Sequence, residues 1–307
     1  MDPLDLITKN KIKRYFRATR KLNAPNIVSH ITQRAAGREP LFLEETDYLI
    51  MLSLMKEISK NYELNIFAFC LMPNHIHFLL SQGQKNLYDA MRDLFSRYAM
   101  KFNRKYERKG HLFGGPYRQA ICMDETYLLA ASIYIHLNPV KAGLSTEPLA
   151  YRWSSCRLYS EDNSPNAFID PAFILGLLSE NIVERKARYR KLLNKGGELK
   201  TDHVLEQEDS IERFRLKLAS IFPSLFNRVK KKGLLSGLLG IDFLSFEELE
   251  RQIEAVKKGH FSNKPDSRKA KKYLIEQLIA RGFKRKEIAQ RLEISPKTIY
   301  NYMKSRS

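Results

Sequence analysis

Two histidines in one short segment are the first residues of this sequence whose types and spacing could do chemistry. His75 and His77 follow Pro73 in a run of strand-forming residues. Because side chains alternate along a strand, residues i and i+2 project from the same face, so the two imidazoles converge on one point. Such a pair suits a divalent cation. The alternative is a chance spacing in which one ring is satisfied by a backbone carbonyl.

A tyrosine and an asparagine form a second pair. Tyr134 and Asn138 lie four residues apart in a segment that predicts a helix, so they share one helix face. The amide oxygen can complete a metal site with His75 and His77, and the phenolate can attack phosphorus. Taken alone, the pair is better explained by a packed tyrosine and a polar residue at a helix end. The combination of both pairs favours the chemistry.

The elements that must position these side chains follow from the spacing of apolar residues. The predicted order is strand, helix, strand, strand, helix, strand, helix, over residues 26–33, 41–60, 64–71, 75–80, 87–108, a short segment after 116, and 124–138. Asp124 caps the last helix and Pro139 ends it. This order predicts an α+β fold, a ferredoxin-like antiparallel sheet with helices on one face. Ile76 and Phe78 then point into the core, away from the histidines.

Three domains are expected along the chain. Residues 1–158 hold the sheet and the two pairs described above. Residues 159–262 begin with a polar, turn-rich connection and continue as helices without a chemical motif, so their role stays open. Residues 263–307 form a final basic unit that is similar to a helix-turn-helix, in which Ser295 caps the last helix and Glu293 stands where such turns usually hold glycine.

Charge and composition narrow the class of partner. The chain has 307 residues, a formal net charge of +19 and a pI near 9.7, which favours a polyanion such as nucleic acid. Its three cysteines lack any metal-site or disulfide spacing, which indicates a reducing compartment. No apolar stretch approaches the ~20 residues of a spanning helix, so neither secretion nor a membrane partner is expected.

Two basic surfaces are predicted to contact DNA. The long helix at 87–108 is amphipathic and basic, and a short strand follows residue 116. In the last domain the final helix leaves polar side chains for groove and phosphate contacts. The predicted contacts are Arg92, Arg97, Lys101, Arg104, Lys105, Tyr117 and Arg118 in the first domain, and Lys297, Thr298, Tyr300, Asn301 and Lys304 in the last.

Four motifs in order resemble the single-tyrosine HUH transposases, and specifically the group like the REP-associated tyrosine transposases. They are Leu-Met-Pro-Asn-His75-Ile-His77-Phe-Leu-Leu, Gly-His-Leu-Phe from residue 110, Tyr134-Ile-His-Leu-Asn138-Pro-Val-Lys-Ala-Gly, and Trp153-Ser-Ser. The resemblance covers roughly residues 24–158. It departs from the family pattern at Gly114-Gly115-Pro116-Tyr117, where a basic contact is missing, and at Ala35, where glycine is usual.

The resemblance implies a mechanism. His75 and His77 would bind Mg²⁺ or Mn²⁺ with Asn138 as third ligand, and Tyr134 would take the 5′ phosphate as a phosphotyrosine. Single-stranded or hairpin DNA is the implied substrate, duplex DNA the implied partner of the last domain, and a homodimer is allowed. We expect a cytoplasmic, nucleoid-associated bacterial protein. Tyr127 and Tyr117 are the competing nucleophiles.

Two other functions compete with the nuclease and strand transferase. A sequence-specific DNA-binding regulator could keep the nuclease fold without turnover, although the intact set of His75, His77, Tyr134 and Asn138 argues against it. A metal phosphohydrolase using bound water would not need Tyr134. His30, His111 and His136 are interpreted as structural histidines, with packing or a DNA contact expected for His30.

Overall fold

A computed structural model describes residues 15–16, 21, 26–37, 39–161, 168–199, 210–232, 235, 246–257, 265–280, 283 and 285–304. The chain divides into two compact units. One consists of Asn23–Gly240, and the other of Met1–Leu22 together with Ile241–Ser307. Most of the predicted polar connection at 161–166 lies outside the described residues. None of the described helices is long and apolar enough to cross a membrane.

The secondary structure follows the predicted order. The Asn23–Gly240 unit contains strands β2 (Val28–Arg34), β3 (Leu64–Met72), β4 (His75–Gln82) and β5 (Arg118–Ile121), and helices α1 (Glu45–Asn61), α2 (Leu87–Lys105), α3 (Glu125–Lys141), α4 (Ala172–Gly176), α5 (Ile182–Glu198), α6 (Ser210–Ile221) and α7 (Pro223–Lys231). The other unit contains the short strand β1 (Tyr15–Phe16) and helices α8 (Phe246–Lys257), α9 (Pro265–Ala280), α10 (Arg285–Leu292) and α11 (Pro296–Lys304).

The sheet of the first unit confirms the predicted α+β, ferredoxin-like arrangement. Its strands lie in the order β5–β2–β4–β3, and each neighbouring pair is antiparallel. The turn between β3 and β4 is tight, since Met72 pairs with His75. Helices α1 and α2 cover one face of the sheet, where Ile76 and Phe78 join the apolar core as predicted. The histidines of β4 therefore point to the other face.

Helix α3 packs against β3 and β4 on that other face, and one prediction about it is wrong. Asp124 does cap its start, because the Asp124 Oδ1 accepts the Tyr127 amide at 2.8 Å. Pro139, however, lies inside the helix, which continues to Lys141. Proline costs a helix one internal hydrogen bond, but this loss is small in the last turn, where the carbonyls of Asn138 and Pro139 accept later amides at 2.9 and 2.8 Å.

The helices after residue 168 pack closely onto α3. Every residue of α3 from Glu125 to Pro139 is buried, a pattern that a sheet on one side alone cannot produce. Gly196 in α5 makes the close approach possible, because a Cβ there would lie 2.9 Å from Leu137 and 3.0 Å from Phe214. Most of the predicted 159–262 region thus shares a compact unit with the sheet, which differs from the predicted boundary at 158.

Helices α8 to α11 build a small apolar core of their own. Leu249, Leu274, Ile288 and Ile299 are among its buried residues. Ser295 caps α11 as predicted, since its Oγ accepts the Thr298 amide at 3.0 Å. The assignment of these helices as a helix-turn-helix stays a prediction.

Candidate functional site

The histidine pair lies on the sheet face that adjoins α3. His75 pairs with Arg34 of β2, and His77 pairs with Thr32. The two imidazole rings are 4.9 Å apart between centroids and nearly perpendicular. His75 is partly exposed, whereas His77 is buried. The two rings therefore lie in contact on one face of the sheet, and their convergence on a cation stays a prediction.

Both rings are held through Nδ1. The Nδ1 of His75 lies 2.7 Å from the Asn74 Oδ1, an acceptor, so this nitrogen carries the proton. The Nδ1 of His77 lies 2.9 Å from the Nε2 of His30. Histidines that bind metals commonly use one ring nitrogen for the metal and the other for such a partner. This arrangement suits a cation on the Nε2 side of the pair.

Burial keeps this part of the site uncharged. Desolvation lowers the pKa of His77 well below its ordinary value, and the nearby charges of His75, His30 and Arg34 act in the same direction. Desolvation also lowers the pKa of His30 to about 4. Both rings are then neutral near pH 7, and a neutral imidazole is the form that binds metals.

Tyr134 and Asn138 lie on α3 as predicted, but both are covered. The Tyr134 side chain is 1% exposed, and its ring makes an edge contact with Phe214 of α6 at 5.8 Å between centroids. Lys141 lies over the same Phe214 ring at 4.6 Å. The Asn138 Nδ2 is buried without a hydrogen-bond partner among the described residues.

The unpaired amide of Asn138 bears on metal binding. The oxygen and nitrogen of a side-chain amide are assigned from their hydrogen bonds, so the unpaired position given to the Asn138 Nδ2 can also be taken by the amide oxygen. With its oxygen turned outward, Asn138 offers a neutral oxygen ligand of the kind that Mg²⁺ and Mn²⁺ accept. The described residues contain no cluster of three His, Cys, Asp or Glu suited to a metal ion.

Comparison with known proteins shows which family residues 23–138 resemble. The family model for IS200-like transposases matches residues 23–138, the segment that contains the sheet, both histidines, Tyr134 and Asn138. Residues 23–138 are therefore similar to the IS200-like transposases. A solved structure of a REP-associated tyrosine transposase bound to a REP hairpin is similar at a TM-score of 0.40 and 15% identity, over 44% of this chain and 80% of that chain. No curated protein matches.

The basic helix α2 lies on the sheet face opposite to the histidines. Its core-facing side packs with Ile76 and Phe78. Two of the predicted DNA contacts are engaged within the protein, since Arg97 forms two hydrogen bonds to Glu57, at 2.8 and 2.7 Å, and Lys105 pairs with Asp47 at 2.7 Å. Arg92, Lys101 and Arg104 are exposed, with Arg92 paired to Asp89 at 3.0 Å.

Tyr117 and Arg118 are neighbours with different environments. Tyr117 is 5% exposed and packs near Phe95 in the core of the Asn23–Gly240 unit, which argues against its predicted contact with DNA. Arg118 is exposed and pairs with Thr32 across β5 and β2, so it shares the face of His77. Arg34 lies on the same face, opposite His75, and was not among the predicted contacts.

Two features of the Asn23–Gly240 unit were missed from the sequence. His30 contacts His77, although it was interpreted as packing or as a DNA contact. The alternation of His30, Thr32 and Arg34 along β2 was the available signal, because these residues must share a face. The cover over Tyr134 had no signal, since the helices after residue 168 carry no motif.

The predicted contacts in the last helix are partly described. Lys297, Tyr300 and Asn301 are exposed on α11, and Thr298 is partly buried. Arg285 lies 5.5 Å from the centre of the Tyr300 ring. The side chain of Lys304 lies outside the described residues.

Proposed function

We propose that the protein is a metal-dependent single-stranded DNA endonuclease and strand transferase that works through a 5′-phosphotyrosine on Tyr134. The observation that carries this proposal is the histidine pair of β4. Each ring has Nδ1 engaged by a partner, and the pair lies on the sheet face that adjoins the helix of Tyr134 and Asn138. The match of residues 23–138 to the family model for IS200-like transposases supports the same class of activity.

His75, His77 and Asn138 would hold the divalent cation, Mg²⁺ or Mn²⁺. When bound, such a cation polarises the scissile phosphate and stabilises the charge on the leaving 3′ oxygen. The chain's own contribution is to keep His77 neutral and to orient both histidines. Burial achieves the first, and Asn74 and His30 contribute the second.

Tyr134 supplies the nucleophile. Its phenol oxygen forms a bond to phosphorus and loses its proton to solvent, while the bond between phosphorus and the 3′ oxygen breaks and the 3′ oxygen takes up a proton. A 3′ hydroxyl can later attack the phosphotyrosine. This step releases Tyr134 and joins two DNA strands. The sum of the two steps exchanges one phosphodiester for another, so no external energy source is needed.

Attack on DNA requires that Tyr134 leave its cover. A side chain that is 1% exposed cannot reach a phosphate, and the Phe214 ring of α6 packs against the Tyr134 ring. The α6 helix that carries Phe214 is also tied to the start of α3 by the hydrogen bond from Arg215 to Thr126, at 3.1 Å. The active form therefore differs from the described one in the packing of α6 on α3.

The substrate that fits best is hairpin-forming single-stranded DNA. Arg118 and Arg34 on the histidine face suit a scissile phosphate, and the exposed Arg92, Lys101 and Arg104 of α2 suit the backbone of a flanking stem. The exposed face of α11, with Lys297, Tyr300 and Asn301, suits duplex DNA and would deliver the nuclease to its site.

The test combines a labelled hairpin DNA with the full chain and Mn²⁺, with and without EDTA, and looks for an adduct that survives denaturation. We expect a metal-dependent adduct in the wild type and none in Tyr134→Phe. Tyr127→Phe is the matched control, because Tyr127 is a buried tyrosine on the same helix, and it should keep the adduct. Cleavage that persists in Tyr134→Phe would instead indicate a phosphohydrolase.

A second function, a DNA-binding regulator without turnover, is favoured by one observation. Tyr134 is covered by helices of its own chain, as expected of a nuclease fold kept for binding. Tight duplex binding without any adduct across varied hairpins and metals would support this function over the first.

A further inference from the structure

A third histidine, His30, is buried behind the histidine pair. It lies on β2, and its ring stacks on His77 at 5.1 Å between centroids with an angle of 11°. The Nε2 of His30 is 2.9 Å from the Nδ1 of His77, which is hydrogen-bond distance. Thr32 lies 3.4 Å from each of these two nitrogens, too far for a strong hydrogen bond.

Packing alone does not explain a histidine at this position. His30 is 3% exposed, and its Nδ1 is buried without a hydrogen-bond partner among the described residues. A buried unpaired polar group costs about 1–3 kcal/mol, whereas a leucine of similar size would fill the space without that cost. The hydrogen bond to His77 is what a leucine could not provide.

The direction of that hydrogen bond follows from the proposed role of His77 as a metal ligand. For the Nε2 of His77 to bind a cation, this nitrogen must present its lone pair, so the ring proton must lie on Nδ1. The Nδ1–H then donates to the Nε2 of His30. His75 shows the same arrangement in a form that is easier to assign, because its Nδ1 can only donate to the Asn74 Oδ1.

We propose that His30 is a positioning residue, whose Nε2 accepts the Nδ1–H of His77 and thereby fixes both the tautomer and the ring orientation that metal binding needs. This inference rests on the proposed function, since it assumes that His77 binds a cation. It assigns to β2 a part in the site, because the acceptor for a β4 ligand comes from the neighbouring strand.

The first measurement uses metal-free protein labelled with ¹⁵N at histidine. Long-range ¹H–¹⁵N spectra distinguish an imidazole nitrogen that carries a proton from one that does not. We expect the proton of His77 on Nδ1 in the wild type, and a mixed or Nε2–H tautomer in His30→Leu. A proton on Nε2 in the wild type would overturn the inference, whatever the metal does.

The second measurement is Mn²⁺ affinity, followed by the free-ion signal in electron paramagnetic resonance. Loss of an outer partner of a ligating histidine costs about 10- to 100-fold in metal affinity, so His30→Leu should weaken binding by that range. His30→Gln restores an acceptor and should recover most of it. Tyr98→Phe is the control, because it loses a buried hydrogen bond, 2.5 Å to the Leu41 carbonyl, on the opposite face of the sheet.

The outcomes separate this inference from the proposed function. Unchanged Mn²⁺ affinity in His30→Leu, with only a lower unfolding midpoint, would show that His30 is structural and overturn the inference. A wild type that does not bind Mn²⁺ but keeps the Nδ1–H tautomer of His77 would contradict the proposed function while supporting the hydrogen bond. Weaker binding in Tyr98→Phe equal to that in His30→Leu would also overturn the inference, because stability alone would then explain the loss.

Discussion

The two faces of the sheet are built from alternate residues of the same strands and differ in what they do. On β4, Ile76 and Phe78 enter the apolar core under α1 and α2, while His75 and His77 point to the face that adjoins α3. The first face contains apolar side chains, whose removal from water stabilises the fold. The second buries polar groups at a cost, and such a cost is typical of a site kept for chemistry.

The largest expected effect comes from substituting two adjacent residues, Phe78 and His77, that point to opposite faces of the sheet. Phe78→Ala leaves a cavity in the core and should lower the free energy of unfolding by about 3–5 kcal/mol, while Mn²⁺ affinity of the folded protein stays within about twofold. His77→Ala should lose measurable Mn²⁺ binding and cost only about 1–3 kcal/mol of stability. Urea unfolding and Mn²⁺ titration measure both quantities. Similar profiles for the two variants would contradict the division of the faces.

The cover over Tyr134 is tested by Phe214→Ala. Removing the ring should cost about 3 kcal/mol of stability. It should also speed adduct formation by roughly tenfold, because the free-energy cost of exposing Tyr134 falls by ~1.4 kcal/mol. The rate of adduct formation and the nitration of Tyr134 by tetranitromethane give two independent measurements.

Phe173→Ala is the control for that cover. Phe173 packs on Phe67 in the same helical layer, at 5.3 Å between ring centroids. Its loss should destabilise the protein without speeding the reaction. Equal acceleration in both variants would mean that general loosening, and not the cover on Tyr134, controls the rate.

A smaller effect is expected at Asp47, which joins α1 to α2 on the apolar side of the sheet. Its carboxylate pairs with Lys105 at 2.7 Å and accepts hydrogen bonds from Tyr106 and the Leu43 amide, each at 2.8 Å. Burial alone would raise its pKa, but these partners together hold the pKa below the ordinary value. Asp47→Asn should cost about 2 kcal/mol near pH 7.

The pH dependence of this effect has a definite sign. A carboxyl with a lowered pKa stabilises the fold above its unfolded pKa of about 3.9, and this stabilisation is lost as the pH falls through the lower folded value. The wild type and Asp47→Asn should therefore converge in stability in strong acid. Glu57→Gln, which breaks an exposed pair with Arg97, is the control and should change little at any pH. A difference that does not shrink as the pH falls below about 3.9 would contradict the assignment.

The smallest expected effect lies in the other unit, at Glu293. Its φ of 52° is in the left-handed region, where a residue with a Cβ costs about 1–2 kcal/mol relative to glycine. Glu293→Gly should slow hydrogen exchange in α10 and α11 by about fivefold, without affecting the adduct. Lys286→Gly, the same substitution at an exposed helical position, should speed exchange. Faster hydrogen exchange in Glu293→Gly would contradict the claim that the backbone is strained at Glu293.

The parts of the molecule that follow local rules could be predicted from the sequence. Alternation along β4 predicted which face holds His75 and His77, and the Asp124 cap predicted the start of α3. Pro139 misled because its cost depends on how close it lies to the helix end. The His30–His77 contact depends on the register between β2 and β4. The cover of Tyr134 by Phe214 depends on how α6 packs on α3. A single local segment of sequence encodes neither of these.

The most direct test of the central claim is the chemical position of the DNA on the protein. The wild-type adduct formed with a labelled hairpin and Mn²⁺ would be digested with protease and nuclease, and the modified peptide identified by mass spectrometry. We predict a nucleotide linked through its 5′ phosphate to Tyr134. A link to Tyr127 or to any other residue, or cleavage without a linked peptide, would contradict the account.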